Sequence, residues 1–311
     1  MFDLIIIGGG PAGVAAGVYA ARKRLKTILI TESFGGQSTE SANIENWIGT
    51  KSILGLDFGK ALEEHLRSYA RDSVEIKTGE KANNIVRSDG SFQVTTNKSS
   101  YATRTVLITT GSTRRKLEIP GAKEFENKGI VYCASCDGPL FAGQDVAVIG
   151  GGNAAFETAA QLLAYAKSVT LLARSDKFKA DEVTVQKVLS HPNMKVVTNV
   201  TFKEIKGDLP DGKAGKFVNS LIYEETGKEK ELPVTGVFVE IGLIPATDFA
   251  KNIISLNKYG QIPVDARTQR AQTEGVWAAG DSTDGLYHQN NIAAGDAVKA
   301  LEDIYLYLHA R

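Results

Sequence analysis

Short apolar runs, each ending at once in glycine or a turn, organise this chain. Leu4-Ile5-Ile6-Ile7 has no polar member and is rich in β-branched side chains, the pattern of a strand covered on both faces in a parallel sheet. It opens into Gly8-Gly9-Gly10-Pro11-Ala12-Gly13. Val14 to Arg24 is then alanine-rich and predicts a helix, and Thr27 to Thr31 returns to strand character. The order recurs downstream as a strand over Val146 to Ile149, the loop Gly150-Gly151-Gly152-Asn153-Ala154-Ala155, a helix over Phe156 to Ala166 and a strand over Ser168 to Leu172. A third apolar stretch, Gly275-Val276-Trp277-Ala278-Ala279-Gly280-Asp281, predicts a strand ending on an aspartate. Tyr287-His288-Gln289-Asn290 and a helix through about Leu308 follow it.

A glycine loop between a buried strand and a helix is the dinucleotide-binding fingerprint, and two copies imply two dinucleotides. Gly8 permits the tight turn, Gly10 lets the backbone approach a pyrophosphate, and Gly13 lets the helix lie close to the strand. The helix N-terminus offers unpaired N–H groups to the phosphates. In the second loop Ala155 takes the third glycine position, where a small side chain still allows close packing. Asn153 is placed to cap the second helix, to touch a ligand, or to do both. Glu32 lies where an acid would accept ribose hydroxyls, although Thr31 is as well placed and a surface glutamate is the plain alternative.

The 311 residues suggest two domains, and 36 Lys+Arg balance 36 Asp+Glu. No net field steers the protein toward nucleic acid or an anionic membrane. Met1-Phe2-Asp3 leads straight into the first strand without a basic segment or cleavage site, and no stretch reaches membrane-spanning length. The expectation is a soluble, cytoplasmic protein.

The two cysteines of the chain, Cys133 and Cys136, sit in Val131-Tyr132-Cys133-Ala134-Ser135-Cys136-Asp137-Gly138. A zinc site needs about four ligands, and His65, His191, His288 and His309 supply no second ligand pair, so no metal is expected. A structural disulfide over so short a loop restrains the unfolded chain little, and cytosolic thiols are normally reduced. The remaining reading is a redox-active dithiol served by the two nucleotide cofactors.

Together these motifs resemble the low-molecular-weight thioredoxin reductases. Gly35-Gly36-Gln37, Ile44-Glu45-Asn46-Trp47, Thr109-Thr110-Gly111 and Ala279-Gly280-Asp281 with Gln289 match in order and spacing, as do the two glycine loops and Cys133 to Gly138. Tyr132 to Phe141 also resembles the flavoprotein subunit of alkyl hydroperoxide reductase, whose extra N-terminal dithiol domain is not expected here. The resemblance implies an α/β chain with two Rossmann-like, three-layer ββα dinucleotide-binding domains, the second inserted in the first. Residues 1–113 and 244–311 would form the FAD-binding domain, and 114–243 the NAD(P)H-binding domain carrying the dithiol. Turn and charged residues near Gly111 to Arg115 and Gly242 to Pro245 fit paired crossover strands.

The resemblance also implies the site. Gly8, Gly10, Pro11, Ala12, Gly13, Glu32, Gly35, Gly36, Gln37, Asn46, Thr110, Gly111, Gly280, Asp281, His288, Gln289 and Asn290 would hold FAD, with Asp281 on the ribityl chain. Gly150, Gly151, Gly152, Asn153, Ala154, Arg174 and Lys179 would hold the pyridine nucleotide. Cys136 would face the flavin, Cys133 would exchange with the substrate, and Asp137 would act as acid and base, unless it merely stabilises the turn before Gly138 and Pro139. The partner would be a thioredoxin or thioredoxin-like protein, and the assembly a homodimer. A small-molecule dithiol oxidase, the reductase component of a peroxidase system and a non-catalytic flavin redox sensor are the alternatives.

Two stretches depart from the family. Its nucleotide-selecting motif reads His-Arg-Arg with a further Arg, whereas this chain reads Ala173-Arg174-Ser175-Asp176-Lys177-Phe178-Lys179. Arg174 and Lys179 can meet a 2′-phosphate, and no acid at Leu172 or Ala173 selects NADH. NADPH is the expected donor, with NADH as the alternative. His288 stands where Arg or Lys is common. Trp47 and Tyr287 either shield the flavin or belong to the core.

Overall fold

The computed structural model describes residues 1–41, 43–88, 90–208 and 216–310. The chain divides into two compact units, Met1–Thr113 with Ile244–Arg311, and Arg114–Leu243.

In the first unit the strands Val74–Thr78, Thr27–Phe34, Phe2–Gly9 and Ser100–Ile108 lie side by side, all parallel. Val276–Ala278 joins the end of Ser100–Ile108 in parallel, and the hairpin Ala82–Ser88 with Ser91–Thr96 pairs antiparallel with its start. Successive side chains of a strand point to opposite faces. Leu4 and Ile6 therefore pack under the helices Pro11–Arg22, Gly55–Ala70 and Asn290–His309, with Leu66, Ala297 and Leu301. Ile5 and Ile7 meet Ile85, Phe92 and Val94 of the hairpin on the other face. Burial on both sides is why the run shows no alternation.

The second unit repeats the plan. Met194–Val197, Ser168–Leu172, Asp145–Ile149, Gly236–Val239 and Ile130–Val131 form a parallel sheet in that order. Val146 and Val148 pack on Phe156 and Ala159 of the helix Asn153–Leu162, and on Val188. Ala147 and Ile149 face Val200, Leu221 and Tyr223 of a three-stranded antiparallel sheet. Both units are thus layered sheet, sheet and helix. The crossover strands Ser112–Arg114 and Leu243–Pro245 pair with each other.

Several boundaries differ from the sequence reading. The first helix runs Pro11–Arg22, with proline in its first turn, where a missing N–H costs nothing. Thr27–Phe34 extends past Glu32, so this residue lies within a strand. The second helix is Asn153–Leu162, and it stops where the Gly143 N–H bonds the Tyr165 carbonyl at 2.8 Å and the chain turns. Asn153 does not cap this helix: Gly152 occupies the cap position without a side-chain bond, and Asn153 Oδ1 instead accepts the Asp181 N–H at 2.8 Å.

Candidate active site

Register decides where the loops meet. Ile7 and Ala278 both pair with Ile108, so the residues that follow, Gly8, Thr109 and Ala279, open on one edge of the first sheet. A cleft of about 280 Å³ lies there. Gly8, Gly10, Pro11, Ala12, Glu32, Gly35, Gly36, Gln37, Thr110, Gly111, Gly280, Asp281 and Asn290 all line it. Gly10 leaves open space where a Cβ would stand, with nothing within 4 Å. That bare backbone, at the start of the helix Pro11–Arg22, is a cradle of the kind a pyrophosphate needs.

Polar side chains pair around the cleft. Glu32 pairs with Lys81 at 3.4 Å, and Glu80 accepts from Thr96 Oγ1 at 2.9 Å. Gln37 Nε2 reaches both Asp281 Oδ2 and Ser112 Oγ at 3.4 Å, and Ser38 Oγ donates to Asn290 Oδ1 at 2.9 Å. Thr110 Oγ1 donates to the Ala246 carbonyl at 2.7 Å and pins the wall.

Gly13, Asn46, His288 and Gln289 are not among the residues that line the cleft. Asn46 Nδ2 donates to Gln289 Oε1 at 3.2 Å, so these two amides engage each other. His288 Nδ1 lies 3.4 Å from Asp281 Oδ1. Trp47 packs edge-on against Phe58 with centroids 5.1 Å apart, a core contact, whereas Tyr287 is 64% exposed. Sequence reasoning missed Ser38, Glu80, Lys81 and Ser112, which sit outside any glycine motif and reach the cleft through the fold.

The second unit makes the same edge. Leu172 and Val239 both pair with Ile149, bringing Gly150, Ala173 and Glu240 together where the strand order reverses. A Cβ on Gly150, whose φ is +154°, would fall 2.4 Å from the Glu240 carbonyl oxygen. The Lys179 N–H bonds the Gly151 carbonyl at 2.8 Å, and Phe178 packs on Phe156, which draws the segment from Arg174 to Lys179 over the glycine loop. The Arg174 and Lys179 side chains are exposed there.

The same unit carries the sulfurs. Cys133 and Cys136 are joined as a disulfide at the start of the short helix Ala134–Asp137, both half-buried. The Cys136 N–H points at Cys133 Sγ at 3.2 Å. Burial pushes the Asp137 carboxyl up from its ordinary value, against the opposing pull of the Arg114 guanidinium. Glu240, left out of the sequence reading, is pushed by burial up to about 7, opposed by Arg114 and by the Thr158 hydroxyl at 2.8 Å.

Residues 2–297 match the profile of the pyridine nucleotide-disulphide oxidoreductases. The chain belongs to this family. Membership accounts for a dithiol beside a nucleotide loop, and the cofactors that go with it are FAD and NAD(P)H. A Bacillus subtilis protein named NADH dehydrogenase is 39% identical over 99% of this chain, which covers 58% of that protein. The alkyl hydroperoxide reductase F protein of Pseudomonas aeruginosa is 40% identical over 96% of this chain, which covers 57% of it. The chain therefore spans a little more than half the length of these relatives. Thioredoxin reductase from Giardia duodenalis superposes with a TM-score of 0.90 at 33% identity, over 99% of this chain and 98% of that one. Among the described residues, no helix is long and apolar enough to cross a membrane.

Proposed function

We propose that the protein is an FAD-dependent, thioredoxin-reductase-like enzyme that carries electrons from NADPH through the Cys133–Cys136 disulfide to the disulfide of a separate thioredoxin-like protein. The observation that carries this reading is a disulfide in the same unit as the second glycine loop, together with a cleft lined by the first glycine loop in the other. Residues 1–113 and 244–311 would be the FAD domain, and 114–243 the NAD(P)H domain. The proposal includes a cytoplasmic homodimer, as the resemblance implies.

FAD, bound in the cleft of the first unit, supplies a relay for an electron pair between the nicotinamide and the disulfide. Gly10 leaves room for its pyrophosphate and Gly13 lets the helix lie close to the strand, while Glu32 would meet the ribose and Asp281 the ribityl hydroxyls. Arg174 and Lys179 would meet the 2′-phosphate of NADPH beside Gly150 to Asn153.

Two electrons entering the disulfide break the S–S bond and leave two sulfurs that share one or two protons. Cys133 then attacks the partner's disulfide, forming a mixed disulfide and releasing one partner thiolate. Asp137, whose raised proton affinity lets it hold a proton nearer neutrality, delivers it to that leaving sulfur. Cys136 attacks Cys133, restores the internal disulfide and frees the second partner sulfur. The Cys136 N–H aimed at Cys133 Sγ is placed to stabilise negative charge there when the bond opens.

NADH as donor is the second reading, favoured by the relative named NADH dehydrogenase and by the single arginine in the nucleotide segment. Purified protein with FAD, mixed with NADPH or NADH and then with oxidised thioredoxin, tests both. Nucleotide oxidation matched by thiol release is expected, faster with NADPH. Nucleotide consumption that follows oxygen and a small dithiol, with no protein disulfide reduced, would replace this reading by the dithiol oxidase.

A further inference from the structure

Arg114 joins Glu240 to the strand end before the dithiol, two parts of its own unit that no sequence motif connects. Its Nη1 donates to the carbonyl of Tyr132, the residue before Cys133. The same nitrogen lies 3.8 Å from Glu240 Oε2, in a pair whose side chains are 31% and 11% exposed. The other Glu240 oxygen accepts from Thr158 Oγ1 at 2.8 Å, and the Glu240 backbone abuts Gly150 of the nucleotide loop. A continuous polar chain thus runs from the second glycine loop, through one guanidinium, to the peptide that leads into the dithiol.

The geometry points to Arg114 as a positioning residue that couples the proton on Glu240, at the nucleotide loop, to the proton on Asp137, beside the dithiol. This rests on the reading of Asp137 as the acid and base of disulfide exchange. One cation serves two partly desolvated carboxyls, so what it gives one it withholds from the other. While Glu240 is neutral, the Arg114 charge acts undiminished on Asp137 and opposes the rise in proton affinity that burial gives it. When Glu240 ionises, the pair neutralises itself, and both Asp137 and the sulfurs bind protons more tightly. Glu157, on the same helix as Thr158, is the other charge acting on Glu240, and it opposes ionisation. Arg114 is the charge acting on Asp137. Arg115, whose N–H bonds the Gly242 carbonyl at 3.0 Å, flanks the same strand ends through its backbone. A ligand that touches Glu240 would change the proton affinity at the sulfurs without touching them.

The test is the alkylation rate of the chemically reduced dithiol in the full chain, followed from acid to alkaline pH. It needs no nucleotide and no partner protein, so failure to reduce a protein disulfide would leave it standing. Asp137→Asn identifies the Asp137 inflection. Arg114→Met should move that inflection up by about one pH unit, and Arg114→Lys should restore most of it. Glu240→Gln, close in shape to the native residue, should remove a separate inflection near neutrality and leave the Asp137 inflection in place. Should Arg114→Met fail to fold, Arg114→Lys and Glu240→Gln decide: a Lys profile near wild type together with a lost neutral inflection supports the coupling. An Arg114→Met profile that superimposes on wild type, or a Glu240→Gln profile that keeps the neutral inflection, overturns it.

Discussion

A Cβ on Gly13 would lie 1.8 Å from the carbonyl oxygen of Gly8, so the first turn of the helix rests directly on the end of the strand before it. The second loop moves this crowding elsewhere. There Ala155 keeps its methyl, and a Cβ on Gly150 would approach it to 2.8 Å. Gly13→Ala should therefore destabilise the protein by about 1–3 kcal/mol, as overpacking does, and strip flavin from it. Ala155→Gly removes a buried methyl without a clash and should cost about 1–2 kcal/mol from helix propensity and lost packing, with flavin retained. Thermal unfolding and the flavin retained through gel filtration measure both. Equal losses at the two positions would contradict the asymmetry.

Glu240 sets a pH dependence of stability. In the folded protein it keeps its proton up to about pH 7, whereas the unfolded residue releases it near 4.5. Between those values the folded state binds more protons than the unfolded state, so stability falls as pH rises, and the loss is complete above the folded value. Asp137 acts in the same direction. Glu240→Gln should thus gain on wild type with rising pH, by at most about 3 kcal/mol, and the gain should level off above neutrality. Denaturant melts at acid and alkaline pH report it. A difference between the two proteins that stays constant with pH would count against the buried acid.

The two sulfurs should separate by substitution. Cys136→Ser should trap a thioredoxin-like disulfide protein lacking its resolving cysteine as a mixed disulfide through Cys133, visible on a non-reducing gel. Cys133→Ser should trap none, and both variants should lose turnover. Trapping by Cys133→Ser instead would reverse the two roles.

Arg174→Ala should narrow the preference for NADPH over NADH by roughly 10- to 100-fold, the value of one charge-assisted phosphate contact of about 1.5–3 kcal/mol. The ratio of kcat/KM for the two nucleotides gives the answer. An unchanged ratio would remove Arg174 from the nucleotide site.

Much of the first cleft was legible because its parts are local. Strand, glycine loop and helix are contiguous from Phe2 to Arg22, and the backbone conformation that a phosphate needs restricts which residues can stand there. The dithiol is likewise written within four residues. Element ends were less legible: Thr27–Phe34 runs on past Thr31, and Asn153–Leu162 stops before Ala166, because neighbouring strands and a distant glycine N–H decide where each ends.

What this sequence determined by itself is the order of buried strands, glycine loops and helices, and the placing of two cysteines between two such loops. Those follow from side-chain chemistry over short spans. Tertiary structure alone decided which distant residues share a cleft: Ser38 meets Asn290 across 252 positions, and Gln37 meets Asp281 across 244. It alone joined Arg114 to Glu240 and to the peptide that leads into the dithiol. Desolvation and the distance between charges set the proton affinity of a carboxyl, and both exist only once separate strands have brought the groups together out of water.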